Sequence, residues 1–316
     1  MDFTDLRPTV GFDIGGTHCR AAVVTASGEV LETLSTATPA TVEALEDTVV
    51  RLLDQLRATH DPAAVGLAVA GFLDPARETV RFAPHLPWRN APVRARLAGR
   101  IGLPVTLEHD ANSAAWGEYR FGAAQGAGTW VFFAVGTGIG ATLMIDGEIF
   151  RGAHGTAPEF GHLTVVPGGR QCACGKRGCL ERYASGTALV DTAAELAVPG
   201  AGGLARRVVE KRDAVTGAEI MAAARAGDPT GMAVLADFAG WLGRGLAMVT
   251  DVLDPELILL GGGVPLDADL FLDAACGRMA EEIVGAGHRP LPVVGTAELG
   301  AHAGMIGVAD LARGQM

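Results

Sequence analysis

Two stretches of this 316-residue chain are built alike, each an apolar run, a short glycine turn and a second apolar run. Residues 10–24 read VGFDIGGTHCRAAVV and residues 130–145 read WVFFAVGTGIGATLMI. Short β-rich runs around glycine read as strand pairs, and small turn residues leave backbone N–H groups exposed to an anion. Their recurrence predicts two domains of related topology. Two unrelated glycine turns would give the same pattern.

Between them, Val42, Leu45, Val49, Leu52, Leu53 and Leu56 recur at helical spacing behind Thr41, predicting a capped surface helix over residues 41–58. Strand-like runs at 65–69 and 105–107 precede a helical stretch from about Asn112 to Phe121. Further on, Met232, Leu235, Phe238, Leu242, Leu246, Val249 and Leu253 mark a long buried helix, followed by the strand LILL at 257–260. Strands alternating with helices predict an α/β fold. Residues 199–203 read as a loop.

The formal net charge of −11 argues against direct nucleic-acid binding. The basic stretches at 89–100 and 206–212 then read as solvated helix faces. Residues 1–9 carry acids and a proline, with no basic segment leading into an apolar one, so the expected compartment is the cytoplasm. Residues 122–145 lack ionisable groups over a length that spans a bilayer, but six glycines interrupt them, which favours buried strands. The 44 glycines carry no G-X-Y period and accompany 49% hydrophobic residues, so collagen and disorder are excluded. They are left to serve turns and close backbone approach.

No G-x-x-x-x-G-K-[ST] motif occurs, and GAGGLA at Gly200 lacks the preceding strand that a dinucleotide site requires. In Asp13-Ile14-Gly15-Gly16-Thr17 a carboxylate at a strand end is followed by two glycines and a hydroxyl, a set suited to Mg²⁺ and phosphate. Gly136-Thr137-Gly138 offers similar backbone donors, and Gly261-Gly262-Gly263 admits an adenosine against bare backbone. Each turn is also an ordinary structural turn taken alone.

His162, Cys172, Cys174 and Cys179 supply four soft ligands within 18 residues, matching a closed, structural zinc site. A disulfide is the alternative, disfavoured without an export signal. Cys19 and Cys276 read as packing thiols. Asp110 sits where a strand gives way to a helix, the place where open α/β sheets put ligands, or else it caps the helix. Glu159 and His162 are one short turn apart; they and Glu181 either line a pocket or support the metal.

In order along the chain, DIGGTHCR, AGFLDPARETVRFAPHLPWR, EHDANSAAWGEYRFG, GTGIG, EFGH, CACGKRGCLERYASG and LLGGGV resemble the ROK family of sugar kinases and repressors, and within it the bacterial glucokinases. The resemblance implies an actin-like ATPase (ribonuclease H-like) fold, with two α/β domains around a central cleft and a structural zinc site. It places the domains at residues 1–112 and 113–299, with a helix at 300–316 returning to the first. It implies phosphorylation of a hexose 6-hydroxyl by ATP and Mg²⁺, glucose being the first expectation. The alternatives are another hexose, an N-acetylhexosamine, or a sugar-sensing regulator with weak kinase activity. By matched position Asp110 is the general base, and Gly71, His109, Glu159, His162 and Glu181 surround the sugar. Asp13, Gly15, Gly16, Thr17, Gly136, Thr137, Gly138, Gly261 and Gly262 hold the nucleotide, while His162, Cys172, Cys174 and Cys179 bind Zn²⁺. A homodimer or homotetramer is expected, without membrane or direct nucleic-acid contact. The chain departs from the glucokinase pattern at His109 and His85, both usually Asn, and at GAHAG, which lacks an Asn often found there. An imidazole cannot reproduce the planar donor–acceptor fork of an amide.

Overall fold

The computed structural model describes residues 7–315, so the expectation drawn from residues 1–9 falls mostly outside the described residues. Its strands are β1 (Thr9–Ile14), β2 (His18–Val24), β3 (Val30–Ala37), β4 (Val65–Val69), β5 (Phe72–Leu73), β6 (Val80–Phe82), β7 (Arg89–Ala91), β8 (Val105–His109), β9 (Thr129–Val135), β10 (Ile139–Ile145), β11 (Glu148–Phe150), β12 (Leu257–Gly261) and β13 (Val293–Thr296). Its α-helices are α1 (Val42–Arg57), α2 (Val93–Ile101), α3 (Asp110–Phe121), α4 (Gly186–Leu196), α5 (Gly203–Lys211), α6 (Gly217–Arg225), α7 (Pro229–Leu253), α8 (Leu272–Glu282) and α9 (Ala303–Arg313).

The repeated glycine turns belong to a repeated topology. One sheet runs β3-β2-β1-β4-β8 and the other β11-β10-β9-β12-β13, with a small third sheet β5-β6-β7. In the first, β1 pairs antiparallel with β2 and parallel with β4, and β4 parallel with β8. In the second, β12 pairs parallel with both β9 and β13. The DIGGT turn joins β1 to β2, and the GTGIG turn joins β9 to β10.

Contacts divide the chain into two compact units: Met1–Gly128, Thr142–Pro158 and Ala297–Met316 form unit 1, and Thr129–Ala141 and Glu159–Thr296 form unit 2. The units are therefore not segments in chain order. Residues 113–128 and 142–158 group with unit 1, where α3 packs on α9 and Thr142 Oγ1 bonds Asn112 Oδ1 at 3.0 Å.

In unit 1, strand periodicity sorts the side chains of β1 and β4. Val10, Phe12, Ile14, Val65, Leu67 and Val69 face a core shared with Leu45, Val49, Leu52, Leu53 and Leu56 of α1. Thr41 caps α1 as its spacing predicts, accepting from Ala44 N. The intervening glycines face α9 instead. A Cβ on Gly11 would lie 1.9 Å from the Met305 carbonyl oxygen, one on Gly66 2.1 Å from that of Val308, and one on Gly307 1.8 Å from that of Ser113 in α3. Any side chain there would hold the last helix off the sheet and off α3.

In unit 2, Trp130, Phe132 and Phe133 of β9, Ile258 and Leu260 of β12, and Phe238, Leu242 and Leu246 of α7 are buried. α7 is long and apolar enough to cross a membrane, but 56% of its most apolar window is buried, and it packs on α4, α6 and α8 as a core helix. Met232, expected among its buried positions, is 56% exposed, while its neighbour Gly231 is the first-turn residue that packs on α6. Residues 122–145 hold β9 and β10 as expected, and of the expected loop at 199–203 the first four residues are non-helical while Gly203 already begins α5.

The basic stretch at 206–212 is a helical face paired with acids. That at 89–100 is only partly so. Arg94, Arg96 and Arg100 lie on α2, but Arg89 sits in β7, where its Nη1 reaches the carbonyls of Ala83, Leu86 and Trp88 at 2.6–2.7 Å. Its guanidinium also stacks on Phe82. Leu86 N also donates to Ala83 O, at 3.4 Å, and Arg89 adds a donor to all three carbonyls.

Candidate active site

The expected site residues fall into two groups, one in each unit. In unit 1, β1 delivers Asp13 and the junction of β8 with α3 delivers Asp110. Burial, and next the negative charge of Asp110, push the Asp13 carboxyl from 3.8 up to about 6, against the weaker opposing pull of Arg20, 4.0 Å away. A buried carboxyl facing a second negative charge forms a place for a cation. The turn after Asp13 is held open by Gly15 N donating to His18 O at 3.1 Å and Thr38 Oγ1 donating to Gly15 O at 2.6 Å. Gly16 and Thr17 are exposed. His85 packs on this turn, so that a Cβ on Gly16 would meet the His85 Cβ at 2.5 Å. Gly71 meets the same loop through Phe82 and Ala83.

Asp110 is the first residue of α3 rather than its cap, a place that His109 takes without a side-chain bond. Its Oδ1 accepts Ala111 N at 2.9 Å and lies 3.1 Å from His109 Nε2, while its side chain remains 43% exposed. No described residue bonds Oδ2, which leaves that oxygen open to take a proton from a hydroxyl.

Beneath this pair lies a network that the motif EHDAN does not announce. Glu108, 1% exposed, accepts His109 N at 3.0 Å and Asn112 Nδ2 at 2.9 Å, and pairs with Arg77 and Arg151. Burial alone would raise its carboxyl, but the charge and hydrogen bond of Arg151 hold it below the usual carboxylate range. This fixes the strand end from which Asp110 projects.

In unit 2, Gly136 N donates to Gly138 O at 2.9 Å, closing the turn that carries exposed Thr137. Gly262, with φ of +93°, approaches the Val135 carbonyl so closely that a Cβ would stand 2.5 Å from its oxygen, which brings the turn after β12 against the end of β9. A Cβ on Gly138 would meet Glu181 Oε2 at 2.7 Å, so Glu181 borders the same turn.

His162, Cys172, Cys174 and Cys179 converge, their ligand atoms all within 4.8 Å of one another, and all five cysteines of the chain are free thiols. Cys174 and Cys179 Sγ are 3.7 Å apart, as are Cys172 Sγ and His162 Nδ1. Tetrahedral zinc at about 2.3 Å from sulfur requires edges of about 3.8 Å, which these two pairs match. Glu181 Oε1 accepts from Cys172 Sγ at 2.9 Å, and Glu159 Oε2 lies 3.8 Å from His162 Nε2. The imidazole thus turns one nitrogen to the thiols and the other to Glu159. Cys19 is buried, as a packing thiol should be, and Cys276 is half-buried.

The ROK family model matches residues 9–315. The chain belongs to the ROK family. A glucokinase of Streptomyces coelicolor is 40% identical, across 96% of this chain and 97% of its own length. The crystal structure of a ROK family glucokinase from Streptomyces griseus, in complex with glucose and AMPPNP, superposes with a TM-score of 0.87 at 41% identity, covering 97% of this chain and 99% of that one. A ROK hexokinase from Thermus thermophilus gives 0.78 at 32% identity, over 98% of both chains. The mixed α/β architecture is that of the ROK sugar kinases, of actin-like ATPase type.

Proposed function

We propose that this ROK protein is a hexose kinase that transfers the γ-phosphoryl group of ATP to the 6-hydroxyl of glucose. The observation that carries the reading is Asp110, held at the head of α3 by Ala111 N and His109 with one oxygen open, beside the raised carboxyl of Asp13. Asp110 takes the hydroxyl proton as the sugar oxygen attacks, and Gly71, His109, Glu159, His162 and Glu181 orient the hexose. Asp13, Gly15, Gly16 and Thr17, with Gly136, Thr137, Gly138, Gly261 and Gly262, hold the nucleotide. Phosphoryl transfer depends on such positioning more than on covalent participation. Mg²⁺, when bound, neutralises phosphate charge. A cation also favours the ionised form of Asp13, which burial otherwise resists.

The Cys172, Cys174, Cys179 and His162 cluster would hold a structural Zn²⁺, which would favour the thiolate forms and tie down the loop bearing Glu159. The enzyme works in the cytoplasm as a homodimer or homotetramer, without direct nucleic-acid or membrane binding. A coupled assay with MgATP and a hexose panel tests the reading. Glucose should turn over, and Asp110→Asn should lose about 10²- to 10⁴-fold in kcat. Unchanged turnover by Asp110→Asn, or no turnover of any hexose by the wild type, sinks it.

A further inference from the structure

The turn at 136–138 is not held by its own hydrogen bonds alone. Ser185 caps α4 with its side chain, accepting Ala188 N at 3.2 Å. The next two residues spend first-turn donors elsewhere. Gly186 N donates to Gly136 O at 2.7 Å, and Thr187 Oγ1 donates to Thr137 O at 2.7 Å, with Thr187 N at 3.4 Å from the same oxygen. Helix-start amides have no partner within their own helix, so they are available for this.

A trans peptide unit is planar, and its carbonyl points opposite to its N–H. Drawing the Gly136 and Thr137 oxygens toward α4 therefore turns the N–H groups of Thr137 and Gly138 away from it. Both donors are aimed before any anion arrives. The fit is close, since a Cβ on Gly186 would stand 2.8 Å from the Gly136 oxygen.

We infer that Thr187 and Gly186 are positioning residues for nucleotide binding, which lock the 136–138 turn with two amides facing the phosphates of ATP. This rests on reading that turn as a phosphate site. The Thr187 hydroxyl supplies a hydrogen bond, and the missing Gly186 side chain supplies the room.

The test is calorimetric binding of AMPPNP to the full-length enzyme, with KM values for ATP and glucose alongside. Thr187→Val, which keeps the shape and removes the donor, should weaken AMPPNP binding and raise the ATP KM by about five- to tenfold. Thr187→Ser should stay within about twofold of wild type, and kcat and the glucose KM should be unmoved by either, since the lost interaction is uniform binding. Gly186→Ala, which favours the helix but crowds the turn, should weaken AMPPNP by about tenfold or more. It keeps the inference falsifiable should Thr187→Val fail to fold. If wild type binds AMPPNP and both Thr187→Val and Gly186→Ala bind it equally well, the inference is overturned and the phosphate-site reading stands. If wild type itself binds no AMPPNP, both fall.

Discussion

Asp13 is held in a state that costs the folded protein stability, and Asp13→Asn should expose that cost. Its carboxyl rises from 3.8 to about 6, and at about 1.36 kcal/mol per pK unit the ionised form at neutral pH is disfavoured by at most about 3 kcal/mol. The side chain is 32% exposed, so solvent screening leaves about 1.5 kcal/mol. Between pH 4 and 6 the folded state holds more protons on this group than the unfolded chain does. Stability contributed by Asp13 is therefore complete below pH 4 and declines as pH rises through 6.

Asparagine never ionises, so the variant should be more stable than wild type at pH 7.5 by about 1.5 kcal/mol, or about 2 °C in melting temperature, and equal to it below pH 4. Melting is followed without nucleotide or sugar in magnesium-free buffer. Kinase activity of the same variant should fall steeply, because a group strained for binding has been exchanged for one that is comfortable. A variant less stable than wild type at pH 7.5, or a difference that does not change between pH 4 and 8, would refute the reasoning.

Glu108→Gln should lose about 2–3 kcal/mol at neutral pH, less than the full cost of breaking a buried pair because Arg77 and Arg151 are each 26% exposed. Since the Glu108 carboxyl is held low, its contribution is present above about pH 4.5 and fades in acid, so urea midpoints of the two proteins should converge there. Cys174→Ser should bring zinc, measured by atomic absorption, well below one per chain; full occupancy would exclude this thiol as a ligand. His109→Asn, restoring an amide fork beside Asp110, should lower the glucose KM by about three- to tenfold, and an unchanged hexose panel would show that the imidazole is no handicap. Gly66→Ala should cost about 3 kcal/mol by forcing α9 outward, and a melt matching wild type would contradict that packing.

What was legible in the sequence was what neighbouring residues encode together. Thr41 and the apolar spacing behind it specify α1, the DIGGT and GTGIG turns specify their hairpins, and the CACGKRGC spacing specifies a four-ligand cluster. Pairings between distant segments were not legible. Glu108 meets Arg151 across 43 residues, and nothing in EHDAN marks that acid as buried. Arg89 looked like one more surface charge, because its role depends on a loop folding back to present carbonyls. Glycine is ambiguous for a related reason. Gly16 lies in a turn while Gly11 and Gly66 lie in strands, and the residue type alone does not separate a flexible joint from a flat bearing surface.

The contact of α9 with β1 and β4 also sets an order of events. Unit 1 opens at the N-terminus but needs Ala297–Met316, and unit 2 ends at Thr296. As the chain leaves the ribosome, every residue of unit 2 has been made before the first unit receives its final helix. At about 5–20 residues per second, β1 and β4 wait roughly ten seconds or more with their glycine faces uncovered. The second unit can finish first, and the first unit completes only once α9 has been made. A premature stop that removes α9 would therefore damage the half of the protein that was synthesised earliest.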